Sequence, residues 1–352
     1  MILPQTYWQS LILMIVGLVC LGSWAATFKM TGKWRFELYY LDFGFGAALA
    51  SLIYICTVGS MGFDGFSFVD DMLHAQKRFW IFAFGAGIVF NLANMLLVAA
   101  VSVSGMAIAF PVGMGIGLIL GSGVPQLLNR SGHPLLLFLG FTLMVAAIVV
   151  TAMAHSAQVV IQAQSVLRQA HETKKKHVQV PSAIKGLVLA IAAGVLLAAY
   201  PPLLAKSREG ETGLGPYSGM FLFSMGVFFS TLLFTVFFAN LPVEGEPLEI
   251  VDYFKGSLKN HFAGLAGGAL WCTGMLAAFL GVAPEVLTPV GAVVSATCTY
   301  GIPLLAAFWG IAVWREFRDS TQRIRNLGLL MMVLFAAGVV LVSIAPAYVK
   351  TA

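Results

Sequence analysis

Charge is scarce in this sequence. Asp, Glu, Lys and Arg make up 10% of the 352 residues, against 59% hydrophobic residues and a mean hydropathy of +0.89. Soluble domains carry about 25% charged residues, so water cannot be the only solvent of this chain. Cysteine is nearly as rare: Cys20, Cys56, Cys272 and Cys298 are the four, with no CxxC and no Cys/His ligand spacing. That excludes a disulfide framework and a zinc site, and each thiol reads as a small apolar residue. No GxxxxGK[ST] occurs, so no P-loop motor is expected, and no cofactor is implied. The glycines from Gly113 to Gly123 lie inside an apolar run, not between a strand and a helix, which argues against a dinucleotide site.

What remains is an alternation of apolar stretches of roughly 20 residues with short charged connectors, each stretch long enough to cross a hydrocarbon core about 30 Å thick. Ten spans are predicted: Trp8 to Lys29, Tyr39 to Val58, Phe79 to Ala99, Gly105 to Leu128, Pro134 to Met153, Ala183 to Lys206, Tyr217 to Asn240, Phe262 to Leu280, Pro284 to Val313 and Leu327 to Val349. The first lacks a basic lead-in and is too long for a signal-peptide core, so it is expected to be a retained helix. The fold class is therefore an all-α polytopic membrane protein.

The formal charge of +5 could suggest nucleic acid, but its distribution gives a simpler reason. The connectors after spans 1, 5, 7 and 9 hold fourteen of the 20 Lys and Arg residues. The other side holds the remaining six: Lys77, Arg78, Arg130, Lys206, Arg208 and Lys350. The positive-inside rule puts the richer side, with the Lys174 to Lys176 cluster, in the cytoplasm and both termini outside the cell membrane. The expected partners are the bilayer and a small polar solute, with no nucleic acid; the chain is expected to act as a monomer or homodimer.

Spans 4 and 9 share a pattern at an offset of 178. Pro111 and Gly113 precede Gly123 and Pro125, as Pro289 and Gly291 precede Gly301 and Pro303. Five spans per half, an odd number, make the second half cross in the opposite sense. The expectation is a 5+5 inverted repeat: residues 1–153, a basic cytoplasmic connector over 154–182, and residues 183–352. Inverted repeats are common in secondary transporters, whose solute site lies at mid-membrane between the halves. Pro111, Gly113, Pro289, Gly291 and Pro303 are thus candidate gating positions. The alternative is plain helix packing, since Gly113, Gly117 and Gly121 also follow small-xxx-small spacing.

Three stretches resemble the ureide permeases, in the sugar-transporting branch of the drug/metabolite transporter superfamily. Leu21, Gly22 and Trp24 with Tyr40, Leu41 and Asp42 resemble LG-x-W followed by YLD. Gly87, Ile88 and Val89 with Asn94 resemble GIV and its later Asn. Pro303 and Leu304 with Phe308, Trp309, Gly310, Ile311 and Glu316 to Arg318 resemble PL-x-x-x-FWGI and its acidic-aromatic-basic ending. The resemblance covers most of the chain thinly. Spans 1 to 4 and the start of span 6 are also similar to rhamnose-proton symporters. The family implies ten helices, an external N-terminus and proton-driven uptake of neutral polar solutes such as allantoin or uracil; a sugar substrate, or export by the same fold, stays open. Plant ureide permeases carry a long central loop with a nucleotide-binding-like motif, whereas the loop here is short.

A neutral polar solute needs hydrogen-bonding groups and flat apolar walls at mid-membrane depth. Asn91 and Asn94 share a face of span 3; as an alternative, such Asn residues bind helices together. Trp24 and Trp271 sit inside their spans, not at the interfacial belts, and can stack on a ring or fill the core. Thr297, Thr299 and Tyr300 precede an expected helix break at Gly301 to Pro303, and Tyr200 stands beside a second at Pro201 and Pro202. Asp42, an ionisable residue within span 2, is the candidate for proton coupling, or else pairs with Lys29 or Lys33. Glu316 is expected to pair with Arg315 or Arg325 and lock a gate, Glu285 to be a solvated cap, and all six His residues to be solvated and interfacial. An intramembrane enzyme would need a second catalytic group beside Asp42. A channel would need a ring of subunits, whereas an internal repeat puts the pathway within one chain.

Overall fold

In the computed structural model, the described residues are 1–352 except 33, 63, 130, 173–182, 282–288, 319 and 349–352, and except the side chains of 169–172, 250 and 289. Ten membrane-length helices are described: α1 Tyr7–Lys29, α2 Phe36–Cys56, α3 Lys77–Ser104, α4 Met106–Leu128, α5 Pro134–Arg168, α6 Ala183–Lys206, α7 Pro216–Asn240, α8 Leu258–Gly281, α9 Val290–Val313 and α10 Gln322–Tyr348. Each agrees with a sequence-predicted span. The largest difference is at α5, whose helix continues to Glu172 because 154–168 carries no Gly or Pro to stop it. Helix starts follow local chemistry. Thr6 accepts from Gln9 N while the Gln9 side chain accepts from Thr6 N, a capping box that satisfies otherwise orphaned amides at the start of α1. Gly105 (φ 87°) makes the sharp α3–α4 corner, a left-handed conformation that favours glycine.

Hydrogen bonds sort the loops onto two faces. Met1 donates to Phe66 O, Gly215 N to Asp71, and His133 N to Ala345 O, which gathers both ends of the chain with three loops on one face, here the terminal face. The connectors after α1, α3, α7 and α9 form the opposite, connector face.

The neighbour relations pair up when helix n is exchanged with helix n+5. α1 packs on α8 as α6 does on α3, and α2 on α8 as α7 does on α3; α2–α7, α4–α9 and α5–α10 are their own counterparts. Individual residues match too. A Cβ on Gly46 would enter the carbonyl of Leu265, and one on Gly268 the carbonyl of Phe43. The counterparts are Gly226 against Phe84 O and Gly87 against Phe223 O. Phe43 to Gly46 and Phe223 to Gly226 both read Phe-x-x-Gly at an offset of 180, and Gly87 to Phe90 and Gly268 to Trp271 read Gly-x-x-aromatic at 181. The two crossings are consistent with the inverted repeat. In the first helix of each half the chain turns past the middle of the helix, at Trp24–Ala25 and at Ala198–Ala199.

The expected breaks were only partly found. α4 carries a π-turn at Ile119–Gly123, just before Pro125. α9, by contrast, runs helically through Gly301 and Pro303, and its π-turn comes later, at Trp309–Val313. Pro303 still lacks an N–H, so the carbonyl of Thr299 loses its usual helical donor without the helix ending. Pro111 is buried within α4, and Gly113 packs on Ala190 and Leu97. Gly117 faces Leu197 and Gly194, and Gly121 faces Ala198, so the glycine stripe is the α4–α6 contact. Pro289 begins the α9 helix and Gly291 lies buried in its first turn.

Candidate functional site

Where the two crossings meet, their close glycine contacts give way to an aromatic layer. Phe90 of α3 stacks on Trp271 of α8 (4.9 Å between centroids, 24°), and Phe43 and Phe223 flank Trp271 at 5.8 Å each. Trp24 lies 5.0 Å from Phe43, and Tyr200 5.2 Å from Phe90. Large rigid rings here leave flat walls and no methyl-sized gaps to collapse. Above them a cavity of about 340 Å³ extends toward the terminal face, ending at exposed Ala205 and Arg208. That volume is in the range of small-molecule sites.

Trp24, Trp271, Asn94, Tyr200 and Thr299 all line this cavity, so five of the sequence-derived candidates converge. Asn94 Nδ2 donates to Tyr40 Oη (2.8 Å), which leaves its amide oxygen without a protein donor among the described residues. Both indole N–H groups and the hydroxyls of Tyr200, Thr299 and Ser122 likewise make no hydrogen bond to described residues. The walls are apolar, and of the free polar groups the two indoles only donate, the three hydroxyls donate or accept, and the Asn94 oxygen only accepts. Such a surface suits a flat solute with several carbonyls.

The other candidates lie elsewhere. Asn91, fully buried, donates to Ser230 (2.8 Å) and Thr231 (3.1 Å) of α7 and holds two helices together. Tyr300 packs on Phe141 and donates to Gln126 in a separate cluster, and exposed Thr297 bonds back to Val293 O, the usual habit of a helical Thr. Sequence reasoning passed over Ser122 and Arg208: a Ser in a glycine run and an Arg in a loop carry no local sign of facing a cavity.

A second cavity, also about 340 Å³, reaches the connector face at exposed Gly32 and Glu244. On α1 Trp24 lines the first cavity and Phe28 the second; on α3 Leu97 lines the first and Val101 the second. Four residues, about one helical turn or ~6 Å, separate the two on each helix.

That thin layer is fastened at the connector face. Glu316 accepts from Lys29 Nζ (2.8 Å) and from the N–H groups of Met106 (2.9 Å) and Ala107 (2.8 Å), so its partner is Lys29 and not Arg315 or Arg325. A carboxylate at the start of α4 also meets the positive end of the helix dipole. A side chain on Gly105 or Gly310 would collide with it. Gln158 adds a bond to Glu316 O (3.0 Å).

Asp42 also finds other partners than expected. It is 2% exposed and accepts from Tyr253 Oη (2.5 Å), with His261 Nδ1 at 2.8 Å; Lys29 is taken by Glu316, and Lys33 lies outside the described residues. Burial, and then the hydrogen bond to the Asp42 carboxylate, hold the Tyr253 phenol above its ordinary pKa, so it stays a donor. Tyr253 belongs to the 3₁₀ turn Ile250–Lys255 of the α7–α8 connector. The same connector is bound by Lys185 at Val243 O and by Arg35, which also pairs with buried Glu37. His261 is thus a carboxylate partner, and His155 is 2% exposed beside Gly186; neither is solvated as expected. Glu285 and the Lys174 to Lys176 cluster lie outside the described residues. Among the described residues no His, Cys, Asp and Glu side chains group to hold a metal.

No solved structure matches this chain. Among curated proteins it is similar to Ureide permease 1 of Arabidopsis thaliana, 22% identical over 373 residues that span 93% of this chain and 94% of that protein. Ureide permease 2 of the same plant is 22% identical over 383 residues, again 93% and 94%, and Ureide permease 4 is 21% identical over 385 with the same coverage. A family profile described as Ureide permease matches residues 163–345, more than half the chain. With ten membrane-length helices and a solute-sized cavity, the chain belongs to the ureide permease family, a family of integral membrane transporters and not of enzymes.

Proposed function

We propose that this protein carries a ureide or nucleobase type solute across the cell membrane by alternating access, driven by a proton gradient. One observation carries the reading: two cavities that reach opposite faces are separated by a single helical turn. A solute held against Trp24, Trp271 and Asn94 has to pass only the layer between Trp24 and Phe28 to reach the other side. Rocking of two inverted halves about the aromatic layer would open that layer and close the terminal mouth. The relatives' printed name supplies the solute class, and donor-rich aromatic walls suit its flat carbonyl-bearing members. The lineage is that of the drug/metabolite transporters, with both termini outside and the charge-rich connectors cytoplasmic.

Asp42 is the coupling group. It sits beside Phe43, which touches both Trp24 and Trp271, while its partners Tyr253 and His261 belong to the connector-face closure. Protonating the carboxylate would weaken its hold on His261 and loosen that closure from the aromatic layer outward. The test is uptake into proteoliposomes of radiolabelled cyclic ureides, nucleobases and hexoses, with and without an inward proton gradient. Saturable, gradient-stimulated uptake of the first two classes is expected. Uptake of hexoses alone would move the substrate to the sugars, and unsaturable flux would refute the carrier.

A further inference from the structure

The central cavity has one feature that a neutral ring does not use. Its mouth carries Arg208, the only charged residue among the described residues that line it. The guanidinium lies over the ring of Phe279, 5.7 Å from the centroid, and Phe279 lines the same cavity. That contact orients the fork of donors without consuming them. Among the described residues Arg208 has no ion-pair partner, although Glu209 and Glu211 follow in the same loop. The neighbouring cation, Lys206, is turned instead onto the ring of Phe82. A single positive charge at the mouth of an apolar cavity draws anions and repels cations along the whole entrance.

Distance gives the charge a second use. Tyr200, at the aromatic layer, and Arg208 are eight residues apart on α6 and its exit, roughly 12 Å along the axis at 1.5 Å per residue. That is a separation between backbones, and the arginine side chain covers part of it, so an extended molecule is the shape that meets the aromatic layer and the guanidinium together.

We infer that Arg208 is a specificity-determining residue that admits ureides bearing a free carboxylate, with the carboxylate on the guanidinium and the ureido carbonyl toward Trp24, Trp271 and Asn94. This rests on the transport of ureides proposed above. It extends the substrate class from neutral rings to ring-opened acids. A planar guanidinium matches a carboxylate by two parallel hydrogen bonds, which a lysine cannot reproduce.

The experiment is uptake by wild-type protein, R208Q and R208K in proteoliposomes of two labelled probes, a neutral cyclic ureide and its ring-opened carboxylate form. Wild type is expected to take both. A hydrogen-bonded charge pair is worth at least about a tenfold change in affinity, so R208Q should raise the KM for the acid by about tenfold or more while that for the ring stays within about twofold. R208K should fall between, and added salt should raise the acid's KM in wild type and R208K but not in R208Q. Equal losses for both probes in R208Q, or no loss for the acid, would overturn the assignment. If wild type takes the ring but excludes the acid, this inference alone fails; if it takes neither, the ureide transport on which it rests fails with it.

Discussion

Replacing Glu316 by Gln should open the protein at its connector face. The native carboxylate satisfies two backbone N–H groups and Lys29 at once. A glutamine has one acceptor oxygen, so one of the two N–H groups would face an amide NH₂, and Lys29 would lose its counter-charge. A hydrogen bond to a charged group contributes about 1.5–3 kcal/mol, and the ion pair, whose Lys29 side chain is 27% exposed, adds at most about 1 kcal/mol. The closed connector face should therefore lose about 2–4 kcal/mol, a shift of roughly 30-fold to several hundred-fold in the balance of the two states. Ala26, 6% exposed between the two cavities, is the place to read that shift. With Cys20 and Cys56 replaced by Ser, the labelling rate of an Ala26→Cys protein by a membrane-impermeant thiol reagent added at the connector face should rise by about tenfold or more on adding Glu316→Gln. An unchanged rate, in protein of normal stability, would show that this cluster does not hold the gate.

Five further substitutions separate coupling, closure and packing. Asp42→Asn and His261→Gln should each abolish stimulation of uptake by a proton gradient while solute exchange at equal pH continues; full stimulation in either would remove the cluster from coupling. The raised pKa of the Tyr253 phenol means the folded state holds that proton more tightly, so the stability it adds is complete below about pH 10 and is lost as pH rises further. Melting temperature against pH should fall on the alkaline side in wild type and less steeply in Tyr253→Phe; identical curves would contradict the bond to Asp42. Asn91→Ala should lower the melting temperature through loss of its α7 bonds, worth about 0.6–2 kcal/mol, with little change in KM. Asn94→Ala should do the reverse, raising KM several-fold, and a swap of these two outcomes would reverse their assignment.

The spans were legible because bilayer thickness and backbone hydrogen bonding leave one solution for a long apolar stretch. Which side of each helix faces the solute was not. In lipid both the outer and inner faces are apolar, so Asn91 and Asn94, three residues apart, gave the same signal and only packing against α7 told them apart. The partners of Asp42 and Glu316 escaped for another reason. Tyr253 and His261 meet Asp42 across more than 200 residues, and Lys29 reaches Glu316 from the far end of the chain. The sequence suggested a repeat at Pro111 and Pro289, yet the stronger marks consistent with one were Phe-x-x-Gly in α2 and α7 and Gly-x-x-aromatic in α3 and α8. These place glycine where backbones touch and an aromatic ring beside the axis, a physical need that a count of Gly and Pro alone does not reveal.

The most direct test of the cavity as the solute site is protection of a single thiol. In a Ser122→Cys protein lacking the native cysteines, the side chain lies in the π-turn that lines the cavity. Labelling from the terminal face should be slowed by a cyclic ureide, with half-protection at the KM for its uptake. Undiminished labelling at concentrations that saturate transport would place the solute elsewhere.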